Sequence, residues 1–530
     1  MSARFEFSAV RSHLAHVLDH ARQHHGERLA FEQGGRAFTY EQLSEGTEKI
    51  ARNLRSLGLD IGDRIAIFAP NGPLWMWATF AAARAGLILV PLNTRLLAKE
   101  NAVVLEAAGA RYMIVDDEHV SDGIALKGHV SHLFLLRLRP DLDFDDAAGQ
   151  RLPLVASPAP LTPSINGADV AHLYFTSGTT GKPKGVMLTH ANVLLHAERA
   201  ATALRMTSGD TWAHIAPMFH LADAWATIAG TLVGLRHVFL SKFTASSALD
   251  LLAEQSVSLT NLVPTMLNLM VAEEGAATRD YARMRLIMSG GAPIAPSLVA
   301  RIVATFGCEY VQTYGMTETS PYLTLSLLPE HMRSWLPEQQ MAFRCKTGRP
   351  FPGIELRVVD ERGFPVPADG VAVGEIEVRG ETVTPGYWQN PEATRAAFTP
   401  DGFLRTGDLA VMDAEGFINI VDRKKDVIIT GGENVYSTEV EAALAAHPSV
   451  LEVAVYGVAD PLWGERVVAA VVLRRGCDVT VDALLHHCRA RLAGYKCPRA
   501  FQFLETLPKT GSGKIAKRVL RGAAALPRER

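Results

Sequence analysis

Between Thr39 and Leu57 the apolar residues Leu43, Ile50, Ala51 and Leu54 fall on a helical period. That spacing puts them on one helix face, and Gly58 follows at the end. Next comes the short apolar run Arg64 to Pro70, then the apolar helical stretch Leu74 to Ala85, the run Leu87 to Leu92 and a third strand candidate, Ala110 to Val115. Helical periods alternating with short, unbroken apolar runs predict βαβ units and a parallel sheet buried on both faces. Residues Arg139 to Asn166, rich in Pro, Asp and Ala, read as a connector. The rhythm then resumes, with helices over Asn192 to Leu204 and Ala245 to Glu254. Extended runs are expected at Trp212 to Ala216, His237 to Leu240, Leu259 to Val263, Leu286 to Ser289 and Tyr310 to Tyr314.

The texture changes after residue 350. Ile354 to Asp360 and Glu375 to Arg379 alternate with a period of two between Gly/Pro turns, as in a small antiparallel sheet or barrel. Past the charged run Asp422 to Asp426, helices at Ser437 to Ala446 and Val481 to Leu492 and strands at Val450 to Tyr456 and Val467 to Leu473 make one small α+β domain with a basic tail. There is no internal repeat. The expected architecture is α/β: a large N-terminal region of two α/β subdomains plus a small antiparallel, barrel-like subdomain, then a small mobile α+β C-terminal domain. The boundary is expected between residues 1–424 and 425–530.

With 530 residues, the chain is long enough for three or four domain-sized units. Its 48% hydrophobic and 21% charged content is that of a folded, soluble protein. A net charge of -3 supplies no electrostatic footprint for nucleic acid. Five cysteines at irregular spacing form neither a disulfide framework nor a zinc pattern, which points to a reducing, cytoplasmic setting. Residues 1–22 lack the apolar core of a signal peptide. The apolar stretches Trp75 to Leu92 and Ala224 to Leu235 are interrupted or ended by Arg84 and Arg236, so no transmembrane segment is expected.

One stretch is too small and polar for a core. Thr176-Ser-Gly-Thr-Thr-Gly-Lys-Pro-Lys-Gly185 follows the apolar run Val170 to Phe175. Its glycines let backbone N–H groups approach an anion, while its hydroxyls and lysines add donors and charge. Alone it reads equally as a surface loop with incidental lysines, and it lacks the Gly-Lys-Ser/Thr ending of a Walker A loop. Taken one at a time, other polar residues also have ordinary readings. Tyr314 fits a core aromatic, Glu318 a helix-start carboxylate, Asp408 a turn aspartate and His220 a satisfied structural histidine. Lys514, in the Gly-Ser-Gly-Lys loop of a basic tail, fits a solvated lysine.

Together with Met218-Phe-His220, Ser289-Gly-Gly-Ala-Pro293, Tyr314-Gly-Met-Thr-Glu-Thr319, Gly386-Tyr-Trp388, Asn390-Pro391, Thr406-Gly-Asp408, Asp422-Arg423, Gly431-Gly-Glu-Asn434 and Pro508-Lys-Thr-Gly-Ser-Gly-Lys514, that loop occurs in collinear order along nearly the whole chain. In this set the sequence resembles the adenylate-forming superfamily of acyl-CoA synthetases, luciferases and peptide-synthetase adenylation domains. It is most similar to bacterial fatty-acid or aryl-acid CoA ligases. The resemblance implies ATP, Mg²⁺ and CoA as cofactors and a two-step reaction, acyl-adenylate formation followed by transfer to a thiol.

It also implies roles. Thr176, Ser177, Gly178, Thr179, Thr180, Gly181 and Lys184 would hold phosphates; Gly290, Gly291, Ala292, Pro293 and Tyr314 the adenine; Gly315, Met316 and Thr317 the nucleotide beside Glu318. Thr176 and Glu318 would face the metal, and Asp408 and Arg423 the ribose. Lys514, Glu318 and His220 would be catalytic, Lys425 the hinge, and Gly431 and Gly432 a CoA tunnel. His220, Ala222, Asp223 and Thr265 would line the acyl pocket. There Leu221-Ala-Asp-Ala-Trp225 departs from the smaller or aliphatic run common in relatives, and Asp223 either turns away or meets a polar substrate group.

The implied function is an ATP-dependent, AMP-forming carboxylate–CoA ligase for an apolar acid, a medium- or long-chain fatty acid in the first instance. An aryl acid of the coumarate or benzoate type, a carrier-protein acceptor, oxygen as in luciferases, and a non-catalytic nucleotide-binding protein stay open as alternatives. Partners are expected to be small molecules. A homodimer and peripheral membrane contact are left open by the sequence.

Overall fold

Thr39 shows how the local rules operate. Its hydroxyl accepts from the Gln42 N–H at 3.3 Å and its own N–H donates to Gln42 Oε1 at 3.0 Å, a reciprocal cap on the helix Tyr40–Ser56. The expected apolar face, Leu43, Ile50, Ala51 and Leu54, is buried. The computed structural model describes residues 13–139, 141–152, 161, 165–177, 183–509 and 515–524.

Two open sheets follow from the alternating pattern. In the first, strands lie in the order Phe144–Asp145, Phe134–Leu138, Tyr112–Val115, Arg64–Phe68, Ile88–Pro91, Val170–Ser177, Pro183–Thr189. Its central strands are parallel, whereas the last two pair antiparallel as a hairpin. In the second the order is Arg236–Phe239, Thr211–His214, Leu259–Leu262, Leu286–Ser289, Glu309–Gly315, Tyr322–Leu325, Arg349–Pro350. It is parallel as far as Glu309–Gly315 and antiparallel beyond. The central parallel strands are buried on both faces, which is why they read as unbroken apolar runs.

Each sheet has its own core. Ala66, Val90, Leu105, Met113 and Leu173 belong to the first; Leu249, Leu267, Ile287, Ile302 and Tyr310 belong to the second. Helices Ala15–His25, Ala98–Ala108, Pro264–Ala272 and Pro296–Phe306 go beyond those the periodicity predicts. Two of them open on proline, whose fixed φ suits a first helical turn. In Ala15–His25 the buried Val17, Leu18 and Ala21 lie among histidines and charges that mask the stripe.

The antiparallel texture near residue 355 is a sheet ordered Ile354–Val359, Gly374–Gly380, Leu404–Met412, Ile418–Arg423. The C-terminal strands Glu433–Val435, Ile428–Thr430, Gly464–Leu473, Val450–Asp460 and Ala500–Phe503 form another sheet, with Ser437–Ala445 and Val481–Arg489 as helices. Its core includes Ile428, Val440, Leu444, Val455, Ala469 and Leu484. The architecture is thus the mixed α/β fold expected. The chain divides into two compact units, Met1–Glu355 with Arg379–Leu404, and Leu356–Val378 with Arg405–Arg530. Among the described residues no helix is long and apolar enough to cross a membrane.

Candidate active site

The two ends of the glycine-rich stretch lie on the antiparallel strands Val170–Ser177 and Pro183–Thr189, the latter at the edge of the first sheet. Thr176 pairs with Lys184 and Ser177 with Pro183 across the ladder. Gly178, Thr179, Thr180 and Gly181 lie outside the described residues. Lys184 and Glu318 meet a third side chain that the sequence singles out only as part of a motif. The Lys184 ammonium sits 5.0 Å from the centre of the Tyr387 ring, and the Tyr387 hydroxyl donates to Glu318 Oε1 at 3.0 Å. Burial, then the charge of Glu318 and their hydrogen bond, pushes the Tyr387 phenol up, so it remains a donor at neutral pH.

Glu318 is buried, on the short turn Thr317–Thr319 that leaves the strand Glu309–Gly315. The turn is set by Met316 N–H donating to the Pro321 carbonyl at 3.0 Å and by the Thr319 hydroxyl donating to the Met316 carbonyl at 3.0 Å. Its backbone is so close that a Cβ on Gly315 would stand 1.9 Å from the Pro321 carbonyl oxygen. Only glycine fits there.

Gly290 to Pro293 leaves the strand Leu286–Ser289, next to the strand that ends in Tyr314 and Gly315. A Cβ on Gly290 would lie 2.3 Å from Thr313 Oγ1 and 2.8 Å from the Thr313 carbonyl oxygen, so the backbone lies directly on the neighbouring strand. Gln312 Nε2 donates to the Ala292 carbonyl at 3.1 Å and holds the loop. Gly291, Ala292 and Pro293 are exposed and Tyr314 is half-buried, an open edge with an aromatic face at hand.

His220 caps the helix Leu221–Val233 and is half-buried, its ring 4.7 Å from that of Phe219. The Ala222 carbonyl accepts from Asn261 Nδ2 at 2.6 Å, which ties this first turn to the strand Leu259–Leu262. Thr265 lies just beyond that strand, exposed in the first turn of Pro264–Ala272. Ala222 is exposed as well.

Asp223 corrects the sequence-based expectation that it lines the acyl pocket. Its side chain is fully buried on the core side of the helix. There Oδ2 lies 2.6 Å from His214 Nδ1, and Oδ1 accepts from Trp212 Nε1 at 3.3 Å. His214 Nε2 in turn lies 3.0 Å from His237 Nδ1. A carboxylate so occupied has no reason to face a ligand. Burial pushes the Asp223 carboxyl up, with the His214 imidazole pulling against it, and burial holds His237 well below the ordinary imidazole value.

The second unit carries another group. Asp408 and Arg423 are register partners on the strands Leu404–Met412 and Ile418–Arg423, with Arg423 Nε 3.3 Å from Asp408 Oδ1. The Asp408 N–H donates to Thr406 Oγ1 at 3.1 Å, a turn that explains Thr-Gly-Asp. Lys425 is exposed in the short turn Lys424–Asp426, immediately after Arg423. Gly431 and Gly432 turn between Ile428–Thr430 and Glu433–Val435 with φ of +61° and +85°. A Cβ on Gly431 would stand 2.9 Å from the Trp463 ring. Lys514 lies outside the described residues.

The donors suit a magnesium–nucleotide complex. Glu318 offers one hard carboxylate, and Thr176, a hydroxyl residue, is the register partner of Lys184. Among the described residues no group of three or more His, Cys, Asp or Glu is placed to hold a metal by itself. Mg²⁺ typically takes one or two carboxylates and completes its shell with phosphate and water oxygens, so a single buried carboxylate fits. Tyr387 and Gln312 are contributors that single residues do not announce; Gly386-Tyr-Trp388 was the available signal for the first.

Comparison with known proteins places this geometry. Residues 18–388 match the model of the AMP-binding enzyme family and residues 439–514 that of the AMP-binding enzyme C-terminal domain. A long-chain-fatty-acid–CoA ligase of Thermus thermophilus is 36% identical over 91% of this chain and 89% of its own. A feruloyl-CoA synthase of Amycolatopsis is 37% identical over 92% of this chain and 94% of its own. Among solved structures, ATP-bound MatB from Rhodopseudomonas palustris superposes with a TM-score of 0.84 at 31% identity, over 96% of this chain and 98% of that one. The o-succinylbenzoate CoA synthetase MenE of Bacillus subtilis, with its acyl-adenylate, superposes at 0.81 and 30% identity, over 97% and 98%.

Proposed function

This chain belongs to the AMP-binding enzyme family, and from that premise we propose that it activates an apolar carboxylic acid, in the first instance a medium- or long-chain fatty acid. It is an ATP-dependent, AMP-forming acyl-CoA synthetase. The acid class rests on one observation: Trp212 and His214 draw the Asp223 carboxylate into the core. The proposed wall of Ala222 and Thr265 then has no Asp, Glu, Lys or Arg side chain, with His220 and the Thr265 hydroxyl as its polar groups. A second carboxylate or other charged substituent on the acid would find no Lys or Arg partner there.

In the first step a carboxylate oxygen bonds to the α-phosphorus of ATP and the bond to pyrophosphate breaks. Thr176, Ser177, Gly178, Thr179, Thr180, Gly181 and Lys184 would hold the departing phosphates. Gly290, Gly291, Ala292, Pro293 and Tyr314 would take the adenine, flanked by Gly315, Met316 and Thr317, and Asp408 with Arg423 the ribose. Glu318 and Thr176 would hold Mg²⁺, which when bound offsets phosphate charge. Lys514 would bring a point charge to the α-phosphate as negative charge builds there. In the second step the CoA sulfur bonds to the acyl carbonyl carbon, its proton is lost and AMP leaves. Rotation at Lys425 would withdraw Lys514 and bring Gly431 and Gly432 to the pantetheine.

An aryl acid is the second reading, since the feruloyl-CoA synthase matches this chain as well as the fatty-acid ligase does. Pyrophosphate release over a panel of fatty, aryl and dicarboxylic acids, with and without CoA and with product masses, decides among them. Preference for a dicarboxylic acid would refute the uncharged wall. Adenylate without CoA thioester would point to a different acceptor.

A further inference from the structure

Gly386-Tyr-Trp388 is a motif to which no role in the reaction has yet been attached, and it is where the two charged parts of the first unit meet. The segment adds to the free edge of the strand Pro183–Thr189. The Trp388 N–H donates to the Gly185 carbonyl at 2.7 Å and the Met187 N–H to the Gly386 carbonyl at 3.1 Å. Just upstream, the Thr384 N–H donates to the Glu318 carbonyl at 2.8 Å. One short strap therefore binds both the strand that carries Lys184 and the turn that carries Glu318. The side chain of Tyr387 repeats this at the level of function, with its ring under the Lys184 ammonium at 5.0 Å and its hydroxyl on Glu318 Oε1 at 3.0 Å. Its own N–H donates to Thr394 Oγ1 at 3.0 Å, which anchors the backbone that carries the ring.

We propose that Tyr387 is a positioning residue that registers Glu318 against Lys184, so that the carboxylate and the ammonium approach a magnesium–nucleotide complex as one preset pair. This rests on the nucleotide roles proposed for those two residues. A glutamate and a lysine are both rotamer-rich, and fixing them before the ligand arrives removes an ordering cost from binding. The two contacts are chemically separable. Tyr387→Phe keeps the ring under the ammonium and removes only the hydroxyl on the carboxylate; Tyr387→Leu removes both.

The test is calorimetric binding of a non-hydrolysable ATP analogue, with Mg²⁺ and in EDTA, to wild type and to both variants. Tyr387→Phe is expected to bind about tenfold more weakly with Mg²⁺ and within about twofold of wild type in EDTA, the loss of one hydrogen bond to a charged group. Tyr387→Leu should also weaken the EDTA value several-fold, because Lys184 loses its seat. Thioester formation from supplied acyl-adenylate and CoA serves as the folding control and should run at the wild-type rate in Tyr387→Phe. Unchanged Mg²⁺ dependence in Tyr387→Phe, or equal losses with and without Mg²⁺, would overturn the proposal. Should Tyr387→Leu fail the folding control, the Tyr387→Phe comparison decides alone. A wild type whose analogue binding is indifferent to Mg²⁺ would instead strike the nucleotide assignment itself and this proposal with it.

Discussion

Replacing Asp223 with alanine should destabilise the first unit by several kcal/mol and disturb acid binding before nucleotide binding. The carboxylate accepts from Trp212 Nε1 at 3.3 Å and lies 2.6 Å from His214 Nδ1, with the Asp223 and His214 side chains both fully buried. Alanine leaves an indole N–H and an imidazole nitrogen with no water to replace the lost partner. Each such orphan costs about 1–3 kcal/mol, so a total of roughly 2–6 kcal/mol is expected. Asparagine retains one acceptor oxygen and should lose about half of that.

The double variant Asp223→Leu/His214→Phe removes both ends of the carboxylate–imidazole contact and should cost clearly less than the sum of its singles, since neither of those two groups is left facing a lost partner. Urea unfolding followed by tryptophan fluorescence is a suitable assay, because Trp212 and Trp225 pack edge to face 5.2 Å apart within this core. The catalytic readout is a KM split. Asp223 lies in the first turn of the helix capped by His220, so a loosened turn should raise KM for the acid while KM for ATP changes little. An alanine variant that loses under about 1 kcal/mol, or a strictly additive double variant, would show that the carboxylate and imidazole are not coupled.

Acid should weaken the fold through buried histidines. Burial lowers His172 to about 4 and His196 to about 3. Folded values below the ordinary 6.5 mean that their contribution is intact above about 6.5 and is lost as pH falls from there towards 4. At pH 5 each should give up about 2 kcal/mol, read as a falling urea midpoint between pH 7 and 5; a flat midpoint would refute neutral burial. Lys514→Ala should cut acyl-adenylate formation by about 10²–10³ while thiolysis of supplied acyl-adenylate survives, and equal loss of both half-reactions would remove its catalytic assignment. Lys425→Pro, which locks φ at an exposed turn, should keep adenylation and lose thioester formation; a normal thioester rate would end the hinge reading.

How much of this could be read from the chain depended on whether the relevant physics is local. The helix Tyr40–Ser56 was legible because its stripe and its Thr39–Gln42 cap lie within a few residues of one another. Gly315 was legible as part of a motif, and the 1.9 Å approach of the Pro321 carbonyl gives the reason for glycine there. Tyr387 was visible as a letter in a motif but not as a partner, since Glu318 is 69 positions away and Lys184 is farther still along the chain. The helix Ala15–His25 was hidden by its histidines.

Asp223 marks where local reading ends. Beside Ala222 and close to His220 it stands among pocket candidates, and one helical step decides whether its side chain faces ligand or core. That step depends on Trp212 and His214, on a strand where Trp212 pairs with His237 across the ladder. Nucleotide chemistry relies on backbone approach and a few charges at fixed spacing, which short motifs record. The acid is selected by a wall whose composition depends on which residues turn away from it, and that information is spread over three elements of the second sheet. The same reasoning explains how relatives named for a fatty acid and for ferulic acid can be equally similar to this chain. Identity over about 490 residues weighs the shared scaffold heavily, whereas a change of substrate needs only a handful of side chains to turn.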